Sequence, residues 1–333
     1  SARLNIGQHQ SIFDRAQQRL LLDRSSVGLS GCLGCVALAR MGYVRLAGER
    51  LERWLQQGFH QGWEMETGSI LAWAAAEYVL WTKERSWLQK NLKIWTTLLD
   101  KLSGGKVVAG GHSLFGKSGS LRWIEIWRIA ALLNGVRALR GASADCQKWG
   151  IAGASAQDGL LSFLGEAPWS ASPDRAPDGS SAVLLTTGWL RLLPLDTPEL
   201  LKTVVHLEGH LMHDEGVMLN GGSHLAATSI LLAVQKRIDP TKDVVSTIAR
   251  FASSTGALPT IRHRMRGAMK NGDDPLSAAL FCLLVLDDLQ VEKGKIFLHG
   301  LIQKARDLPT PFGKIDIDDG KALRADEVAI RYR

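Results

Sequence analysis

Leu276-Ser-Ala-Ala-Leu-Phe-Cys-Leu-Leu-Val-Leu286 carries no charged side chain on any face. A helix that is apolar all the way round has to be enclosed by other protein. Leu29 to Ala39 and Leu225-Ala-Ala-Thr-Ser-Ile-Leu-Leu-Ala-Val234 read the same way, and further apolar members begin near Gly68, Leu121 and Ser180. Each is followed by a stretch that is charged along one side only: Gly48 to Phe59, Ser86 to Leu102, Ala144 to Leu164, Glu199 to Leu211, Thr241 to Ser254 and Val291 to Ala305. A buried helix paired with a half-exposed one, repeated along the chain, predicts an all-α fold: an (α/α)6 toroid of six helical hairpins, with inner and outer helix rings.

A closed ring has no natural dividing point, so residues 23–310 read as one toroid. Residues 1–22 contain a helical pattern at Ile12, Phe13, Ala16, Leu20 and Leu21, expected as a linker or accessory helix on the ring. Residues 311–333 form a C-terminal extension, where the alternation at Ile315, Ile317 and Val328, Ile330 predicts a short hairpin.

Across 333 residues, 45% are hydrophobic and 22% charged, a globular balance. The longest uncharged stretches, such as Val27 to Ala39, are shorter than the ~20 apolar residues of a membrane helix, and no membrane partner is expected. No secretory pattern is visible at the start, which favours a cytoplasmic location. Because the chain opens at Ser1, an upstream domain or larger assembly stays open.

The formal charge of +7 would suit a polyanion, but the basic residues are spread along the outer helices. Their single concentration is Arg262, His263, Arg264 and Arg266, and no nucleic-acid partner is expected. Cys32 and Cys35 have redox-pair spacing, yet they lie inside a Gly, Ala and Leu-rich inner helix and read as core. No metal-ligand spacing stands out, and no cofactor is expected. Gly111-His-Ser-Leu-Phe-Gly116-Lys117-Ser118 formally satisfies the phosphate-loop pattern, with Lys106 to Ala109 strand-like before it. A true phosphate loop belongs to a parallel sheet of strand and helix units, and the helical repeat argues against one.

The polar loops Gly104 to Ser120, Glu166 to Gly179 and Gly256 to Asp274 each precede an inner helix, so they share one end of the ring. Six helix N-termini converge there and make a polar basin. The connections deliver Asp23 and Arg24, then Trp63, Glu64 and Glu66, then His112, with Trp123 a turn into the helix that follows. Later ones bring Asp214, Glu215 and His224, then Arg264, Asp273 and Asp274. Carboxylates accept bonds from hydroxyls and indoles cover the flat faces of pyranose rings, so the basin suits an oligo- or polysaccharide. The competing reading is that acids ahead of a helix are simply caps.

Ordered along the chain, several of these stretches resemble the six-hairpin glycosidases, especially the glucoamylase-like family. Glu66-Thr-Gly-Ser69 with the apolar run after it is similar to the second-hairpin segment of that family. Trp81-Thr-Lys-Glu-Arg-Ser-Trp87-Leu resembles its hairpin turn, Asn220-Gly-Gly-Ser-His224-Leu-Ala-Ala-Thr228 its fifth-hairpin sugar-binding segment, and Gly256-Ala-Leu-Pro259 its approach to the sixth inner helix. Asp23-Arg24 falls where the family places an Arg and Asp pair, in reversed order. The resemblance implies glycoside hydrolysis.

Two departures cut against the inherited chemistry. The family's general acid follows a Trp in the third loop, yet Gly104 to Ser120 holds no carboxylate; its general base follows a Leu-Pro pair, yet Leu258-Pro259 leads to Thr260. Glycoside hydrolysis normally needs two carboxyl groups. Glu66, Glu215 and Asp274 are therefore the expected catalytic set, with Glu125 a poorer candidate inside the third inner helix. The expected substrate-binding groups are Asp23, Arg24, Trp63, Glu64, His112, Trp123, Asp214, His224, Arg264 and Asp273. A silent glycan-binding or scaffolding ring is the alternative, and a polysaccharide lyase using His112, His213, His224, His263 and Arg264 is a further one.

Overall fold

The computed structural model describes residues 4–23, 27–57, 65–104, 121–140, 142, 146–172, 175–213, 216–219, 221–262, 269–270, 272–292, 295–299, 301–319, 321–325 and 330–332. Along the chain the helices are α1 (Gln10–Leu22), α2 (Leu29–Arg40), α3 (Val44–Gln57), α4 (Met65–Thr82), α5 (Arg85–Gly104), α6 (Leu121–Leu139), α7 (Cys146–Asp158) and α8 (Leu160–Leu164). A 3₁₀ segment, Gly179–Leu185, runs into α9 (Thr186–Trp189), followed by α10 (Pro198–His206), α11 (Leu225–Ile238), α12 (Val244–Ala249) and α13 (Pro275–Leu286).

The inner ring closes on itself. Helix α2 packs on α4, α4 on α6, α6 on the 3₁₀ segment, that segment on α11, α11 on α13, and α13 back on α2. The fold is thus the expected (α/α)6 toroid, and the apolar stretches supply its inner ring. From Gly31 to Arg40 every residue of α2 is buried, as is every residue of α13 from Ser277 to Leu286. Burial pushes the Cys32 thiol up to about 12 and the Cys35 thiol up as well, which leaves both as core groups.

The fourth inner position is the shortest. Its 3₁₀ turns are held by the Thr186 and Thr187 hydroxyls, which donate back to the Val183 and Leu184 carbonyls at 2.6 and 2.8 Å. A strand passes close over its start: a Cβ on Gly179 would lie 2.2 Å from the Met218 carbonyl oxygen, so only glycine fits.

Five outer positions are filled by α3, α5, α7, α10 and α12. The sixth corrects the reading of Val291 to Ala305 as a helix. That region forms β6 (Leu289–Glu292), β7 (Lys295–Leu298) and the start of β8 (Lys304–Thr310). Leu289, Ile296 and Leu298 are buried in antiparallel β6–β7 pairing, so alternate residues, not a helical stripe, meet the core. The sixth outer helix comes instead from the other end of the chain: α1 packs on α13 and α2 with Phe13, Ala16 and Leu20 buried. β8 continues through β9 (Gly313–Asp318) into β10 (Lys321–Ala325), while β11 (Ile330–Tyr332) runs parallel to β7. Leu308, Ile315 and Ile317 join the same core as the helices.

One further sheet, β1 (Met212–His213), β2 (Gly216–Leu219), β3 (Gly222–His224), β4 (Ile261–Arg262) and β5 (Met269–Lys270), is wholly antiparallel and feeds β3 directly into α11. No parallel strand and helix units of a nucleotide-binding sheet occur among the described residues, and the phosphate-loop pattern at 111–118 lies outside them. Among the described residues no helix is long and apolar enough to cross a membrane.

Candidate active site at the N-terminal mouth

The N-termini of the inner helices open at one end of the toroid, and their caps define its rim. Asp178 caps the 3₁₀ segment: its Oδ1 accepts from the Ser180 amide at 2.8 Å, and the Ser181 hydroxyl accepts from the Asp178 amide at 3.2 Å. His224 caps α11, its Nδ1 accepting from the Ala227 amide at 3.4 Å. Asp274 caps α13, its Oδ2 accepting from the Ser277 amide at 2.8 Å and from the Ser277 hydroxyl at 2.7 Å. Each group satisfies amides that no helix turn can reach.

Glu66 differs from these acids. It lies in the first turn of α4, is 7% exposed, and its Oε1 accepts from the Trp123 indole Nε1 at 2.9 Å. Trp123 meets Trp127 edge-on at 5.4 Å, and Trp127 meets Trp73 edge-on at 5.0 Å. A column of buried indoles therefore backs one carboxylate. The Trp123 ring is 1% exposed, with its indole N–H turned to Glu66. The geometry joins residues 57 positions apart in sequence.

Three other acids at this end have committed partners. Arg15 of α1 bonds Asp273 at 2.6 Å, and Arg19 donates to the Asp273 carbonyl at 2.9 Å. Arg19 also lies 3.7 Å from Asp23, which is 9% exposed. Glu125 is gripped by Arg128 through two bonds of 2.7 and 2.6 Å, which ties it into helix α6.

His224 is 4% exposed, and burial lowers its pKa to about 4. It is neutral at physiological pH and cannot serve as a cation for an acidic sugar. Arg24, Trp63, Glu64, His112, Asp214, Glu215 and Arg264 lie outside the described residues. Of the basic run, Arg262 donates from Nη1 to the Arg250 carbonyl at 2.6 Å.

Two features were missed at the sequence level. The roles of Arg15 and Arg19 follow from α1 being an outer helix, which its apolar stripe alone could not assign. The pairing of β2 with β3 had a visible signal, since Asn220-Gly221 between them is a strong hairpin turn dipeptide.

The helical toroid is similar in fold to solved structures of glycosidases. A point variant of a glycosidase in complex with glucose is similar to this chain at TM-score 0.63 and 14% identity, over 85% of this chain and 98% of its own. The wild-type glycosidase is similar at TM-score 0.63 and 13% identity with the same coverage. The glucoamylase from Saccharomycopsis fibuligera is similar at TM-score 0.56 and 10% identity, over 86% of this chain and 96% of its own. No protein-family model matches the chain, and no curated protein matches it in sequence.

Proposed function

We propose that the N-terminal mouth binds an oligo- or polysaccharide and hydrolyses it, with Glu66 as the central carboxyl group. The observation that carries this reading is the placement of Glu66: a nearly buried acid at a helix N-terminus, bonded by the Trp123 indole, on a fold similar to glycosidases. The Trp123 indole holds one oxygen of this carboxyl group at 2.9 Å.

Hydrolysis requires a second carboxyl group, so that one protonates the departing glycosidic oxygen and the other activates water or attacks the sugar. Glu215 is the proposed partner, with Asp274 in support. The test is reducing-end release from a panel of oligosaccharides by the full chain. Glu66→Gln and Glu215→Gln should each lower turnover about 10²-fold or more while the helical circular dichroism is unchanged. Unaltered turnover in Glu66→Gln would remove Glu66 from the chemistry.

A second reading, a glycan-binding ring without turnover, is favoured by one observation. Asp273 and Asp274, the described acids before the sixth inner helix, are engaged by Arg15 and by Ser277. Saturable oligosaccharide binding with no product after prolonged incubation would select this reading over hydrolysis.

A further inference from the structure

The opposite end of the inner ring holds a cavity of about 260 Å³. Every inner position contributes to its wall, through Arg40, Glu77, Arg137, Trp189, Arg237 and Asp287. Its size is just below the ~300 Å³ at which drug-sized pockets begin, so it suits a compact molecule.

The lining is unbalanced in charge. Four arginines, with Arg191 added to those named, face two carboxylates. Asp287 is already shared, bonded by Arg40 Nη1 at 3.1 Å and by Arg237 Nη2 at 3.4 Å. Glu77 is engaged by neutral donors, accepting from Trp81 Nε1 at 3.0 Å and Asn134 Nδ2 at 2.9 Å.

Part of this arrangement is helix capping. Arg40 Nη2 donates to the Leu286 carbonyl at 2.8 Å, and Arg237 Nη1 donates to the Trp189 carbonyl, which answers the partial negative charge of helix C-termini. Capping accounts for the Nη atoms only. The Nε of Arg40 and of Arg237 are both buried without a hydrogen-bond partner, as is Nε1 of Trp73 on the same wall. Arg40 is 7% exposed, its guanidinium 4.1 Å from the centre of the Trp81 ring.

We propose that this cavity is a second ligand site, separate from the mouth, taking a small carboxylate- or phosphate-bearing anion whose charge is held by Arg40 and Arg237 beside the Trp81 and Trp189 indoles. Guanidinium groups recognise both anions by the same charge-assisted bonds, and the surplus positive charge of the wall supplies the attraction. The site needs no contribution from Glu66 and does not depend on the mouth being active.

Calorimetric titration of the full chain at low ionic strength tests it, using inorganic phosphate, glucuronate and neutral glucose as probes. Saturable binding of phosphate or glucuronate is expected, weakened by added salt, about tenfold weaker in Arg237→Gln, and unchanged in Glu66→Gln. Binding of phosphate alone assigns the site to phosphorylated compounds, and of glucuronate alone to carboxylates. Should Arg237→Gln fail to fold, Arg137→Glu at the exposed rim serves in its place, and it too must weaken the anion. Absence of saturable binding by either anion overturns the proposal, as does anion affinity that survives these substitutions in folded protein. Quenching of indole fluorescence by the anion in wild type, lost in Trp189→Leu, places the ligand in this cavity and not at the mouth.

Discussion

The two ends of the toroid are built from the same helices and carry opposite chemistry. At the mouth the helix N-termini are met by acceptors: Asp178, His224 and Asp274 each take an amide of the first turn. At the base the C-termini are met by donors, with Arg40 and Arg237 bonding the carbonyls of Leu286 and Trp189. The dipole of each helix dictates this division of charge. What differs beyond the dipole is connection: the base gathers its charges into one buried network around Asp287, whereas the mouth spreads them over separate caps. Disruption at the base should therefore cost more than disruption at the rim.

The largest effect is expected from Asp287→Asn. Its carboxylate is buried, which alone would raise its pKa, but Arg237 and Arg40 hold it below the ordinary carboxylate value. Removing one partner of a buried ionic network typically costs about 3–5 kcal/mol, to be read from urea unfolding. The same depression means that this contribution is complete above the unfolded pKa of ~3.9 and fades as pH falls through the lower folded value. A loss no larger than that of a rim cap would erase the distinction between the two ends.

A second effect separates the ends by pH. His224 has a folded pKa of about 4 against an ordinary value of 6.5, so the unfolded chain takes up its proton first as pH falls. Stability from this residue is complete above pH ~6.5 and declines toward pH 4, by up to about 3 kcal/mol. His224→Asn keeps a capping side chain and should flatten that part of the stability curve. A curve of unchanged slope in the variant would mean that the mouth has no titrating cap in this range.

Smaller still is Asp274→Ala, expected to cost about 1 kcal/mol for a lost N-cap, with Asp274→Ser recovering most of it. At the bottom of the scale stands the surface pair Lys90–Glu52 between the outer helices, 2.5 Å apart with Lys90 63% exposed. Lys90→Ala should change thermal unfolding by less than about 1 kcal/mol, and a larger cost would show that the outer ring shares the electrostatics of the base.

The inner ring was legible because an enclosed helix must be apolar on all faces, and Leu29 to Ala39, Leu225 to Val234 and Leu276 to Leu286 meet that requirement without reference to their neighbours. The outer ring was legible except at its closure. A half-buried stripe such as Phe13, Ala16 and Leu20 shows that a helix packs on something but not on what. Between Val291 and Ala305, spaced apolar residues suited either a helix or short strands, and pairing between β6 and β7 settled it. At the mouth, Asp274 and Asp178 sit ahead of apolar runs and behave as the caps such positions predict. Glu66 was visible as an acid at the start of a helix, but its bond to Trp123 was not.

Local pattern alone thus established the apolar inner elements, five of their outer partners, the ring they imply and the end at which caps and polar loops collect, because periodicity and capping act over a few residues. Folding decided everything that joins distant parts of the chain. It placed α1 in the sixth outer position and so brought Arg15 onto Asp273, 258 residues away. It also drew Arg40, Arg237 and Asp287 from three separate hairpins into one buried network. Electrostatic partners of this kind depend on which surfaces face each other after the ring has closed, and no spacing along the chain encodes that.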